Sequence, residues 1–139
     1  MTNFSEALCE LPCLTKLDLR FVSFDINDYA LEIFSSAFTR LQNVSELSLQ
    51  FPNTNKITSV GVNELFSNFG SLKSLKTLRV NFDLRQKYLG SVLNILYEGV
   101  KELEFLSFMY LKMSLEKETN DLKAFTSSLQ NVKVDFHTV

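Results

Sequence analysis

The sequence predicts an α/β fold in which strands and helices alternate and the strands form one parallel sheet. Three observations lead to this fold class. An eight-residue apolar pattern occurs five times, helical periodicity separates its copies, and the 139 residues include only four Gly and two Pro. Because tight turns rely on Gly and Pro, their scarcity favours connections that are themselves helical.

The repeated pattern is L-x-x-L-x-L-x-F, with apolar or aromatic residues at its four fixed positions. Its five copies begin at Leu14, Val44, Leu75, Leu103 and Leu129. Each copy ends in alternation, as in Leu17, Leu19 and Phe21 with Asp18 and Arg20 between them. A period of two is typical of a strand with one buried face. We therefore predict five strands.

The segments between the strands change to a helical period, with apolar residues three and four positions apart. Their apolar stripes run over 26–41, 62–72 and 89–100. Candidate N-caps of the first two helices are Asn27 or Asp28, and Thr58 or Ser59. Strand and helix thus alternate with a repeat of about 30 residues, which predicts parallel strands.

The two ends of the chain also contain helical patterns. Leu8 and Leu11 precede the first octet as Phe38 and Leu41 precede the second, so residues 2–10 are predicted to be a helix. A re-registered last helix is predicted over about residues 118–128. The sequence thus predicts a single domain, 1–139, with an incomplete first repeat (1–13) and repeats starting near residues 14, 44, 75, 103 and 129.

The last position of the octets is aromatic in every copy. This column contains Phe21, Phe51, Phe82, Tyr110 and Phe136. Because its parity matches the Leu positions of the octets, we expect it to point into the core. A ligand-stacking ladder is the alternative, but buried aromatic side chains are ordinary in such interiors.

The octets and their helical returns resemble the leucine-rich repeat family, specifically its long, ribonuclease-inhibitor-like repeat class. The turn-into-helix pattern N-x-I-x-x-x-G-x-x-x-L is matched by Asn55, Ile57, Gly61 and Leu65. The family's usual Asn or Cys ladder is absent, and those positions hold Val22, Pro52, Asp83, Leu111 and His137. The resemblance implies a short solenoid with about five parallel strands on the concave face and helices on the convex face.

Composition argues against several function classes. The formal net charge of −2 does not favour a nucleic-acid partner, and no stretch approaches the roughly 20 apolar residues of a membrane span. One His and two Cys do not predict a metal site. The chain also lacks the phosphate-binding and nucleophile motifs GxxxxGK[ST], GxGxxG and GxSxG. We therefore expect no catalytic residues, no cofactor and no enzyme activity.

The thiols and the first residues bear on the compartment. Cys9 and Cys13 are expected to be reduced, and the start of the chain has neither a basic nor a continuous apolar leader segment. These features predict an intracellular, cytoplasmic protein.

Strand parity places the residues between the octet positions on the outer face of the sheet. The candidate partner-binding residues there are Arg20, Gln50, Arg79, Asn81, Phe105, Met109 and Lys133. Phe105 and Met109 would be apolar contacts on a polar sheet, unless a loop or helix covers them. A basic cluster also surrounds the third strand and could bind an acidic partner or remain a solvated surface: Lys73, Lys76, Arg79, Arg85 and Lys87.

These features together predict a non-catalytic protein–protein interaction module that presents a curved parallel sheet to a protein partner. A constitutive structural subunit of a large assembly is the alternative, and a regulatory fragment of an enzyme ranks third. Since no helix follows the fifth octet, we also expect another chain, or further sequence, to cover that edge of the sheet.

Overall fold

The computed structural model describes residues 2–22, 26–52, 56–82, 89–113 and 119–138. Its helices are α1 (Thr2–Cys9), α2 (Asp28–Ser36), α3 (Ser59–Ser67), α4 (Leu89–Val100) and α5 (Asn120–Ser128). Its strands are β1 (Lys16–Arg20), β2 (Glu46–Phe51), β3 (Thr77–Phe82), β4 (Phe108–Met113) and β5 (Lys133–Thr138). The predicted α/β fold with five parallel strands in one sheet is confirmed, and the strands lie in chain order from β1 to β5.

The helices form a layer on one face of this sheet. Each helix contacts the next one along the chain, from α1 to α5. In β2, the side chains of Leu47, Leu49 and Phe51 are buried, whereas the alternating Glu46 and Ser48 remain partly exposed. The sheet therefore has one face packed on the helices and one that no described helix covers, which we call the open face.

A recurring turn joins each helix to the following strand. After α2, the amide of Leu41 donates to the carbonyl of Phe38, and the amide of Val44 donates to the carbonyl of Leu41. The same pair of bonds recurs 31 residues later, around Leu72 and Leu75, and 31 residues later again, around Leu103 and Leu106. Each of these six Leu, Val and Phe side chains between residues 38 and 75 is fully buried. A constant spacing therefore sets where each strand begins.

Side-chain caps fix the helix starts that the sequence predicts. The side-chain oxygen of Asn27 accepts a hydrogen bond from the amide of Ala30 (3.0 Å), and Thr58 Oγ1 accepts from the amide of Val60 (3.1 Å). Asn27 and Thr58 are thus the N-caps of α2 and α3. Asp28, the other candidate of its pair, instead accepts hydrogen bonds from the amide and the hydroxyl of Thr58 (2.8 and 2.6 Å) and so links α2 to α3.

The aromatic column is buried in the first three repeats. Phe21, Phe51 and Phe82 stack in parallel, with centroids 4.9 and 4.7 Å apart and planes 8° from parallel. Their inward placement is confirmed. Tyr110 is a correction, because it lies partly exposed on the open face. The side chain of Phe136 lies outside the described part of the chain.

The fourth strand corrects the predicted register. Leu78 pairs with Met109 and Val80 with Leu111, so the fourth octet starts at Leu106, three residues after the predicted Leu103. Both sets of positions are apolar, and the later one keeps the 31-residue spacing of the preceding turns. Since side chains alternate along a strand, a shift by an odd number of residues exchanges the two faces of β4.

Candidate functional site

The open face is a small grid of side chains aligned by the strand register. One row contains Lys16, Glu46, Thr77, Phe108 and Lys133. The second contains Asp18, Ser48, Arg79, Tyr110 and Asp135. The third contains Arg20, Gln50, Asn81, Lys112 and His137. The rows are polar over β1 to β3 and become aromatic at β4.

Two aromatic side chains of β4 lie between basic residues. Phe108 and Tyr110 are partly exposed. The Arg79 guanidinium carbon lies 5.8 Å from the centroid of the Phe108 ring, and Lys133 Nζ lies 5.9 Å from it. These are cation–π distances, which favour a cation near the ring face. We call Arg79, Phe108, Tyr110, Lys112 and Lys133 the aromatic–basic cluster.

Ion pairing differs across the open face. Lys16 pairs with Glu46 at 3.1 Å, and Lys133 lies 3.6 Å from Asp135. Both pairs are largely exposed, so each contributes about 0–1 kcal/mol to stability. Within the described residues, no carboxylate lies within ion-pair distance of Arg79 or Lys112. These two cations are therefore free to meet an incoming anion.

Two depressions flank Arg79. One, of about 300 Å³, lies toward β1 and is lined by Lys16, Asp18, Glu46 and Gln50, among others. The other, of about 240 Å³, is lined by Ser48, Gln50, Arg79, Asn81, Tyr110 and Lys112. Each is at or below the size of an ordinary small-molecule site, and their lining is mostly polar. They suit individual side chains of a partner better than an enclosed ligand.

Five of the seven candidate partner-binding residues lie on the open face: Arg20, Gln50, Arg79, Asn81 and Lys133. Phe105 is 58% exposed but lies in the turn before β4. The outward placement of Met109 is wrong, because its side chain is 0% exposed and belongs to the core. The register shift explains this error, since it turns Met109 inward and Phe108 outward.

Sequence reasoning missed Phe108, Tyr110 and Lys112. The signal that could have found them was the constant spacing of the turns, since Leu103 and Leu106 follow Leu72 and Leu75 by 31 residues. Of the basic cluster, Lys73 and Lys76 are exposed in the turn before β3. Arg85 and Lys87 lie outside the described residues.

The helix layer has a different chemistry. A cavity of about 550 Å³ between α4 and α5 is lined by residues that include Asn94, Tyr97, Asp121 and Phe125. At the end of α4, a hydrogen bond to the Glu98 carboxylate raises the pKa of Lys101. Among the described residues no group of three or more His, Cys, Asp or Glu side chains could hold a metal. Nor does the described part of the chain contain a helix that is long and apolar enough to cross a membrane.

Comparison with known proteins informs the fold. No protein-family model and no curated protein matches the chain. A solved structure described as "Leiomodin-1 Actin-Binding Site 2 (ABS2)" has a similar fold, with a TM-score of 0.65. The two chains are 12% identical, and the match covers 96% of this chain and 76% of that one. The likeness therefore shows a shared arrangement of strands and helices.

Proposed function

We propose that this chain is a non-catalytic protein-interaction module that binds a protein partner through the open face of its sheet. The observation on which this depends is the aromatic–basic cluster. Two aromatic side chains lie partly exposed, beside basic residues, on a sheet face that the helices leave uncovered. Tyr and Arg are enriched among the residues that contribute most to protein–protein affinity.

We further propose that the repeats form a short solenoid of the leucine-rich-repeat type. Three observations support it: the strands follow one another in chain order, the helices contact in series, and the helix-to-strand turn recurs every 31 residues. In such an architecture each repeat contacts its neighbours and the sheet forms an extended binding surface. The function proposed for the open face does not depend on the family assignment.

A constitutive structural subunit would use the same surface but remain bound to its partners. The two functions differ in the behaviour of the purified chain. An interaction module should sediment as a folded monomer, whereas a subunit should aggregate or self-associate when its neighbours are absent. Sedimentation velocity on the chain alone separates them.

The experiment compares capture of partners by three forms of the tagged chain. Wild type, the double variant Phe108→Ser/Tyr110→Ser and the control Phe105→Ser are used for affinity purification and mass spectrometry. Phe105 is exposed and apolar but lies outside the sheet, so it matches the chemistry of the change and not its place. Partners kept by wild type and Phe105→Ser, and lost by the double variant, are expected.

Actin is one named partner that deserves a separate arm, because the similar leiomodin-1 structure is described as an actin-binding site. Co-sedimentation with filaments, and a gel-shift with monomeric actin, would be run on the same three proteins. Thermal unfolding of each form shows that it is folded. The proposal fails if every captured protein is retained equally by the double variant.

A further inference from the structure

The small net charge of the chain conceals a separation of charge between its two faces. The five helices contain six carboxylates (Glu6, Asp28, Glu32, Glu64, Glu98 and Asp121) and one basic residue, Lys123. The described open face has five basic residues (Lys16, Arg20, Arg79, Lys112 and Lys133) and three carboxylates (Asp18, Glu46 and Asp135). A chain of net charge −2 thus has a positive sheet face and a negative helix layer.

The positive charge on the open face is concentrated toward one side. Near β1, Lys16 is paired with Glu46. Toward β4, the described carboxylates leave Arg79 and Lys112 unpaired, next to the partly exposed rings of Phe108 and Tyr110. The excess charge and the exposed apolar area therefore coincide in the aromatic–basic cluster.

We propose that the aromatic–basic cluster binds an acidic polypeptide segment that also contains apolar side chains. This inference rests on the proposed function and names the chemistry of the partner. Carboxylates of the segment would meet Arg79 and Lys112, and an apolar side chain between them would contact Phe108 and Tyr110. Complementary charge favours such a segment over a neutral or basic one and accelerates its association.

The dimensions of the face favour a segment over a broad protein surface. Five strands about 4.8 Å apart, each with about six residues, give a face of roughly 20 by 20 Å, or about 400 Å². A standard protein interface buries about 800 Å² on each partner. An extended segment of about six residues, roughly 20 Å long, matches the available width.

The direct test measures binding of labelled synthetic peptides by fluorescence anisotropy. The probe contains alternating Glu or Asp and Phe or Leu residues. One matched peptide has Gln and Asn in place of the acids, a second has Lys, and an oligothymidylate serves as a phosphate-rich probe. The proteins are wild type, the open-face variant Arg79→Glu/Lys112→Glu and the control Arg40→Glu/Lys123→Glu.

The control makes the same change in net charge outside the open face. Arg40 and Lys123 are exposed, and neither forms an ion pair within the described residues. We expect wild type to bind the acidic peptide, the open-face variant to bind it about tenfold or more weakly, and the control to bind within about twofold of wild type. Raising salt from about 50 to about 300 mM should weaken binding by wild type several-fold and by the open-face variant much less.

Several outcomes would overturn the inference: no binding of the acidic peptide by wild type, equal binding of the Gln and Asn peptide, or equal loss in the control. Tighter binding of oligothymidylate through the same residues would assign the cluster to nucleic acid. Self-association of wild type that Arg79→Glu/Lys112→Glu abolishes would assign it to the acidic helix layer of a second copy. If captured partners depend on Phe108 and Tyr110 but not on Arg79 and Lys112, this inference fails and the proposed function stands.

Discussion

The first three strands and the last two differ in which face of the sheet holds the aromatic side chains. In β2 and β3, Phe51 and Phe82 point at the helices and stack in the core, while Ser48 and Thr77 occupy the open face. In β4, the inward column continues with Met109 and Leu111, and the aromatic residues Phe108 and Tyr110 are on the open face. The difference indicates that one region of the molecule stabilises the fold and another offers a binding surface.

The largest effect should come from the aromatic stack. Phe51→Ala removes a ring that is 1% exposed and stacked on both Phe21 and Phe82. We expect a loss of about 3–5 kcal/mol in the free energy of unfolding, from lost burial and the cavity that remains. Urea denaturation measures it. Tyr110→Ala on the open face is the matched control and should cost under about 1 kcal/mol; equal losses would mean that the two regions do not differ as described.

The register of β4 can be tested in the same way. Met109→Ala empties a fully buried position and should cost about 2–5 kcal/mol, the usual range for a core Met. Phe105→Ala, at a residue that is 58% exposed, should leave the urea midpoint nearly unchanged. The opposite order of the two losses would restore the earlier register, in which Met109 faces outward.

The regular region of the fold could be predicted from sequence because its two faces have different chemistry. Leu47, Leu49 and Phe51 alternate with polar residues, and a slip by one residue would bury Ser48 or Gln50 without a partner. Only one register satisfies this pattern. The fold class, the caps Asn27 and Thr58 and the inward Phe stack all follow from it.

The fourth strand could not be predicted by the same rule. Leu106, Phe108, Met109, Tyr110 and Leu111 are apolar on both faces, so alternation does not choose between two registers three residues apart. The ambiguity has a physical cause, since a strand that exposes aromatic side chains for binding loses the polar alternation that marks its outer face. Departures from a local pattern are expected at functional sites, and here the departure coincides with the aromatic–basic cluster.

A smaller effect is expected where α2 and α3 approach each other. A Cβ atom on Gly61 would lie 2.8 Å from the Cα of Asp28, and the Asp28 side chain lies even closer. Gly61→Ala should therefore cost about 1–3 kcal/mol by forcing the two helices apart. Gly70→Ala is the control, because a Cβ there meets nothing within 4 Å, and its unfolding free energy should change by less than about 1 kcal/mol. Comparable losses in both variants would show that helix spacing is not the cause.

The smallest effect concerns two aspartates in the first turns of helices, one in each region. Asp28 begins α2 and accepts hydrogen bonds from the amide and hydroxyl of Thr58. Asp121, in the first turn of α5, lines the cavity between α4 and α5 and accepts no side-chain hydrogen bond among the described residues. Both carboxylates interact favourably with a helix N-terminus, a contribution of about 0.3–1 kcal/mol each.

The difference between Asp28→Ala and Asp121→Ala therefore isolates the link from Asp28 to Thr58. The helix-terminus contribution is common to both variants, so Asp28→Ala should lose about 1 kcal/mol more in the free energy of unfolding, the net value of a hydrogen bond or two. Thr58→Ala in the Asp28→Ala background should then add less than it does in wild type, since one partner is already gone. Full additivity, measured by urea denaturation of the four proteins in this cycle, would show that the carboxylate does not tie α2 to α3. Loss of the link would leave the packing of the first region to Gly61 and the Phe stack alone.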